Sequence, residues 1–276
     1  MYIRFPEGKM KAVTLSYDDG VVEDIRLSEI LKQNGIKCTF NINTGYYLGE
    51  EEKREIWKGR LKRSEAIALY KDSGNEVAVH TLTHPQIADL STAEMVTEVI
   101  EDRKNIERDY GTIARGMAYP NGSFSPEVVN VLRMCGIRYS RTTHSTKRFD
   151  LPKDWLLLDP TCHHNDPELM ELAKRFAERP MRFSHEVRLF YLWGHSYEFR
   201  EKDNWNVIEA FADYIGGRSD VWYATNIEIC DYVHAFRSLE WSVDGNTVFN
   251  PTSTDVWFTN RKETYCVHAG EILRIS

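Results

Sequence analysis

The sequence predicts an α/β protein, a distorted (β/α) barrel of about seven parallel strands followed by a small C-terminal β appendage. Short apolar, β-branched runs alternate with segments of helical spacing from near the start to about residue 236. No Gly-x-Gly-x-x-Gly turn follows any strand, which disfavours the alternative of an open doubly wound sheet. Beyond residue 240 the helical spacing stops and short β-formers with turn dipeptides take over.

The elements follow in order. Ala12 to Ser16 reads as the first strand, and Val22 to Gln33 has helical spacing that Asn34-Gly35 ends. Cys38 to Ile42 is the second strand, Arg63 to Lys71 a helix stopped near Gly74, and Glu76 to Val79 the third strand. Ser91-Thr92-Ala93-Glu94 has the spacing of a capping box, opening a long amphipathic helix that Gly111 ends after Tyr110. Met117 to Tyr119 is a strand, Pro126 to Met134 a helix begun by Ser125 and stopped by Gly136, and Ile137 to Ser140 a further strand. A loop precedes a helix near Glu168 to Glu178; strand Val187 to Trp193, helix Val207 to Ile215, strand Val221 to Ala224 and a helix from Ile227 to about Phe236 complete the alternation. The expected division is a barrel over residues 1–240 and an appendage over 241–276. The appendage is read from a hairpin around Asp244-Gly245 and strands at Val256 to Phe258, Thr264 to Val267 and Ile272 to Ile275.

Composition narrows the class. With 42% apolar and 28% charged residues the chain has the make-up of a soluble globular protein. A net charge of −7 and scattered lysines and arginines argue against a nucleic-acid partner. No run approaches the roughly 20 apolar residues of a membrane helix, and Met1 to Pro6 lacks the features of a signal peptide, so a cytoplasmic enzyme without a membrane partner is the default expectation. Cys38, Cys135, Cys162, Cys230 and Cys266 are odd in number, widely spaced and mostly within apolar runs, which reads as reduced core thiols. Oligomeric state leaves no trace in the sequence.

The chemistry-bearing residues gather at strand ends. Asp18-Asp19-Gly20 follows the first strand, His80-Thr81-Leu82-Thr83-His84 the third, and His195 follows Leu192-Trp193-Gly194; Tyr119-Pro120 and Arg141 end two others. Alone, Asp-Asp-Gly is an ordinary turn with a helix cap, and a single histidine pair is commonly a surface feature. In a β/α barrel, however, C-terminal strand ends share one face, so these residues converge. One carboxylate and two imidazoles can hold a divalent metal with open positions, leaving the second carboxylate as a base: metal-assisted hydrolysis. Pro85 keeps His84 off helical backbone and on a tight post-strand loop.

These motifs resemble those of the polysaccharide deacetylases of carbohydrate esterase family four, over roughly Lys11 to Phe236. Ser16-Tyr17-Asp18-Asp19-Gly20 is similar to the family's first motif, His80-Thr81-Leu82-Thr83-His84 to its second, Met117-Ala118-Tyr119-Pro120-Asn121-Gly122 to its third and Leu192-Trp193-Gly194-His195 to its last. The resemblance implies one divalent metal on Asp19, His80 and His84, zinc first, with cobalt, nickel, iron or manganese as alternatives. It further implies Asp18 as general base, His195 as general acid and a backbone N–H near Asn121 as an oxyanion donor. Tyr119, Pro120 and Asn121 then belong to the substrate surface.

Two positions depart from the pattern. The arginine that orients the base in the family falls here on Ala118, and Arg141, at another strand end, is the candidate replacement. An aliphatic residue expected two positions before the histidine is Trp193, which would cover or narrow the acyl pocket. Glu198 is positioned to orient His195 or to meet sugar hydroxyls. Asp159-Pro160-Thr161-Cys162-His163-His164 reads as a substrate loop and not a second metal site, because adjacent histidines ordinarily point apart. Tyr46, Tyr47, Trp155 and Tyr197 offer aromatic faces for sugars or for the core.

The resemblance thus implies a metal-dependent deacetylase acting on an acetylated carbohydrate, at N-acetyl and possibly O-acetyl groups. An amidohydrolase or deformylase acting on a small amide or N-acyl sugar is the nearest alternative. A non-catalytic carbohydrate-binding protein is the alternative from another class, and pure binding has no use for a base, a metal triad and an acid together.

Overall fold

The computed structural model describes residues 1–52, 59–181, 183, 186–261 and 263–275. Its centre is strand β2 (Lys11–Asp18), buried at all but its first residue. β1 is Tyr2–Arg4, outside the barrel. After β2 come α1 (Asp24–Gln33), β3 (Cys38–Ile42), α2 (Arg63–Tyr70), β4 (Glu76–Val79), α3 (Thr92–Tyr110), β5 (Gly116–Ala118), α4 (Pro126–Met134) and β6 (Tyr139–Arg141). β7 (Cys162–His163), α5 (Leu169–Glu178), β8 (Arg188–Gly194), α6 (Tyr197–Glu201), α7 (Trp205–Ile215), β9 (Val221–Tyr223) and α8 (Asn226–Arg237) complete the barrel.

The sheet is parallel and runs β6-β5-β4-β3-β2-β8-β7. β9 adds an eighth strand: it pairs with Lys11 to Val13, while β3 pairs with Leu15 to Asp18 of the same strand. The two outer strands are linked through residues 158–161. Leu158 N–H donates to Ser140, and Thr161 N–H donates to Tyr191. This segment curls the sheet into a barrel form, as the alternating pattern predicts.

Pleat parity divides the side chains. Val13, Leu15, Tyr17, Cys38, Phe40, Ile42, Val77, Val79, Phe190 and Leu192 face the helices and form the main core. The alternate residues face inward, where polar groups satisfy one another. Thr14 Oγ1 donates to Asn226 (2.8 Å), Asn41 Nδ2 to Ser16 (2.7 Å), and Asn226 Nδ2 to Tyr191 (2.6 Å). At the opposite end from the candidate site, Glu76 accepts from Thr39, Tyr139 and the backbone of Ile227 in the first turn of α8. Burial raises the Glu76 carboxyl to about 7.

Local signals explain the helix ends. Ser91 and Glu94 form the reciprocal capping box of α3, and Gly111 ends it at φ 68°. Ser125 caps α4 with Pro126 in its first turn, and Thr225 with Glu228 boxes the start of α8.

Three elements depart from the sequence reading. Tyr2–Arg4, expected inside the barrel segment, instead pairs with β12 (Val256–Asn260). Cys162–His163, expected as loop, is a strand because it borders the buried β8. A short helix, α6, follows His195 directly. Past α8 lie β10 (Glu240–Trp241), β11 (Thr247–Phe249), β12, β13 (Glu263–Val267) and β14 (Ile272–Arg274). They form two antiparallel three-stranded sheets, β1-β12-β13 and β10-β11-β14. Val248, Val256, Phe258 and Val267 pack there with Ala235 and Leu239, so this β unit rests on α8.

Tyr232, on α8, joins the parts. Its hydroxyl donates to Arg4 O (2.7 Å) and accepts from Trp257 N (2.9 Å), and the residue is 3% exposed. Tyr232→Phe leaves both backbone groups without that partner and is expected to cost about 1–3 kcal/mol, read from the urea midpoint at unchanged m-value.

Candidate active site and metal centre

The inward parity of β2 sends Asp18 into the barrel, where it is 2% exposed. A buried carboxylate needs partners. Asn41 Nδ2 donates to its Oδ1 (2.8 Å), and Arg141 Nη2 donates to its Oδ2. Asn41 is the register partner of Asp18 on β3, and Arg141 ends β6 on the same rim. The Arg141 guanidinium lies over the Trp193 ring at 4.2 Å.

Asp19 leaves the strand through a left-handed turn, φ 86°, followed by Gly20 at 65°. The turn sends consecutive carboxylates to different partners. Asp19 Oδ1 is 3.7 Å from His84 Nε2, 4.0 Å from His80 Nε2 and 3.4 Å from Arg60 Nη2. Burial opposes ionisation of Asp19, yet Arg60 and the surrounding imidazoles hold it below the ordinary carboxylate value. Thr81 (φ 64°) and His84 (φ 55°) are also left-handed, so the loop after β4 turns tightly enough to set the two imidazoles edge to face, centroids 4.8 Å apart.

The surroundings of His80 suit a metal ligand. Its Nδ1 meets the carbonyl of Ala118 at 2.8 Å; a carbonyl only accepts, so Nδ1 carries the proton and the Nε2 lone pair points into the site. That Nε2 is buried and, among the described residues, has no hydrogen-bond partner. Burial lowers the ring to about 4, which keeps it neutral near pH 7. The donor atoms of Asp19, His80 and His84 all lie within 4.8 Å of one another. An orphaned buried nitrogen facing a carboxylate and a second imidazole suits a divalent cation.

His195 stands across from this cluster. Its Nε2 is 3.8 Å from Asp18 Oδ2, and its Nδ1 bonds Glu198 Oε1 at 2.8 Å. Glu198 stands three residues on, in the first turn of α6, which makes that contact local. Burial alone lowers this imidazole, but the Glu198 hydrogen bond and the Asp18 charge outweigh it and raise the pKa above its ordinary value.

Other sequence-predicted residues fall differently. The Tyr119 side chain is a core group, 1% exposed with its hydroxyl on Leu156 O (2.8 Å), so it offers no hydroxyl to a substrate; its ring packs on Phe124. Pro120 is buried beside it, while Asn121 is exposed on a left-handed turn, φ 55°. Glu198 is engaged with His195, the first of the two roles expected for it, and with Asn165 and Lys202. Trp155 is core, 5% exposed. His163 and His164, expected to diverge, have centroids 4.4 Å apart and both approach Glu198. Sequence reasoning missed Arg60 altogether; with no motif around it, only the fold reveals its contact with Asp19. A cavity of about 230 Å³ opens beside Asp19, lined in part by Arg60, Tyr197 and Arg200.

Removing one member of a buried charge pair is more costly than lacking the pair. Arg141→Ala is therefore expected to destabilise the fold by about 3–5 kcal/mol, with a smaller loss for Arg141→Lys. Chemical denaturation measures both; an alanine variant as stable as the parent would contradict the pairing.

A polysaccharide deacetylase family model matches residues 6–140. The peptidoglycan-N-acetylglucosamine deacetylase PgdA of Listeria monocytogenes is 24% identical over 139 residues, which is 50% of this chain and 27% of that protein. The chain thus matches about a quarter of the length of its curated relatives. In fold, it resembles a family 4 carbohydrate esterase from Streptomyces lividans (TM-score 0.50, 18% identity, 76% of this chain and 90% of that one). A polysaccharide-deacetylase-like protein of Mycobacterium smegmatis also shares the fold (TM-score 0.59, 15% identity, 86% and 94%). Residues 6–140 thus match the polysaccharide deacetylase family model, and the curled parallel sheet has the fold of a family 4 carbohydrate esterase.

Proposed function

We propose that this chain is a divalent-metal-dependent hydrolase that removes N-acetyl groups from amino-sugar units of a glycan, with O-acetyl esters as a related substrate. The observation that carries the reading is the Asp19–His80–His84 cluster beside Asp18, with His195 Nε2 3.8 Å from the Asp18 carboxylate. The PgdA relative, by its name, acts on N-acetylglucosamine in peptidoglycan, which makes that sugar the first substrate class to try.

Asp19, His80 and His84 would hold the cation, zinc first. When bound, it supplies a Lewis acid that polarises the acyl carbonyl and acidifies water. Asp18, fixed by Arg141 and Asn41, accepts the proton of the attacking water. His195 then delivers a proton from Nε2 to the departing nitrogen, which cannot leave as an anion near pH 7. Glu198 holds His195 Nδ1–H, so the proton to be donated sits on the nitrogen that faces the site. A backbone N–H at Asn121 is the proposed further donor to the oxyanion. Trp193, buried at the wall where an aliphatic residue is usual, favours a second reading in which a smaller acyl such as formyl is removed.

Acetate release from acetylated chitooligosaccharides and acetylxylan, run beside formate release from N-formyl sugars, tests this reading. A chelator is expected to abolish turnover and added zinc to restore it. Asp18→Asn and His195→Ala are each expected to lower kcat by about 10²-fold or more. Chelator-resistant turnover would overturn the proposal.

The pH profile has a defined sign. Glu198 raises the His195 pKa, so Glu198→Gln lowers it. The limb on which kcat/KM falls with rising pH is then expected to move to lower pH. An unmoved limb would remove Glu198 from this role.

A further inference from the structure

His163, His164 and Glu198 form a second group whose donor atoms all lie within 4.8 Å of one another. His163 Nε2 is 3.4 Å from Glu198 Oε1, and His164 Nε2 is 3.5 Å from Oε2. These separations are long for N–H···O hydrogen bonds, which cluster near roughly 2.9–3.0 Å. Each runs to its own Glu198 oxygen and is close to the roughly 3.3 Å edge between two donors on a tetrahedral ion with bonds of about 2.0–2.1 Å.

His164 is the independent sign of a ligand. It is fully buried, and among the described residues neither ring nitrogen makes a hydrogen bond within 3.5 Å of good geometry, Nε2 having only the long Glu198 contact. Its ring is held between Tyr17 (centroids 5.7 Å) and Phe199 (4.1 Å). Residue 194 is glycine where any Cβ would stand 2.0 Å from His164 Nδ1, so the strand makes room for this imidazole. Burial lowers the ring to about 4, which leaves it neutral and able to bind a cation near pH 7. A buried imidazole with no well-formed hydrogen bond is costly unless something occupies one of its nitrogens.

We propose that His163, His164 and Glu198 form a second site for a divalent transition-metal ion, separate from the Asp19–His80–His84 cluster. Two imidazoles and one carboxylate suit zinc or cobalt. Capture displaces one contact, the Asn165 N–H on His163 Nδ1 (3.1 Å), because a ring that binds through Nε2 carries its proton on Nδ1. Glu198 Oε1 also receives His195 Nδ1–H, so an ion here would share its carboxylate with His195.

The test reads metal content and does not depend on the deacetylase reading. His80→Ala/His84→Ala protein, stripped with chelator and dialysed against zinc alone, is expected to keep one equivalent by mass spectrometric metal analysis. Adding either Glu198→Gln or His164→Asn is expected to remove that equivalent; Glu198→Gln preserves side-chain volume and covers a folding failure of the other, with circular dichroism as the check. The Asp255–Cys266–His268 cluster on the β unit, in which His268 is exposed and the other two half-buried, is the competing location. Asp255→Asn should leave the equivalent in place, and cobalt-loaded protein should lack thiolate charge-transfer absorption. No retained zinc in the double variant overturns the proposal. So does an equivalent that survives both substitutions, or one that leaves with Asp255→Asn.

Discussion

A carboxylate at 2% exposure inside a barrel has to be matched by fixed donors, and most of the site is arranged around Asp18 for that reason. Asn41 meets one oxygen and Arg141 the other. Arg141 is itself fully buried, spread over the Trp193 face. These side chains come from four strands, β2, β3, β6 and β8, and share the inward parity of the sheet. A slip of one residue in any of these strands would turn its contribution outward into the helix layer. The register that packs Val13, Leu15, Phe40 and Leu192 against the helices therefore also assembles the polar interior.

The chain then separates two neighbouring carboxylates. Asp18 ends β2 in extended backbone, whereas Asp19 takes φ 86°, which is unfavourable for a residue with a Cβ. The Asp19 N–H bond to Asn41 O (2.8 Å) and the contacts from Arg60 hold it there. The opposing loop has the same character, with positive φ at Thr81 and His84. Strained backbone on both sides of one small space marks that space as where rigidity is spent on geometry.

His195 and Glu198 add a local device, three residues apart where β8 passes into a short helix. In the proposed reaction this pair sets which nitrogen faces the substrate. Across Glu198 stand His163 and His164, so one carboxylate is shared by His195, the proposed acid, and by the proposed second cation site. The β unit lies at a different place, on α8, tied to the N-terminal strand through Tyr232.

Much of this is legible in the sequence because it is local. Period and caps mark β3, β4, α3 and α4 closely, since Ser91, Gly111, Ser125 and Gly136 act within a turn of their own helices. Motif order at strand ends supplies Asp18, Asp19, His80, His84 and His195, because parallel barrel strands all finish on one rim. The tertiary structure alone decided the rest. Tyr119 turned to the core because its hydroxyl found Leu156 O, a partner distant in sequence. Tyr2–Arg4 left the barrel for β12, a pairing across nearly the whole chain that no local pattern encodes. The convergence of His163 and His164 on Glu198 follows from β7 lying beside β8, with the glycine at 194 leaving space. Sequence spacing governs contacts within a turn or along a strand, whereas which side chain meets which across the barrel depends on register and on the volume its neighbours leave.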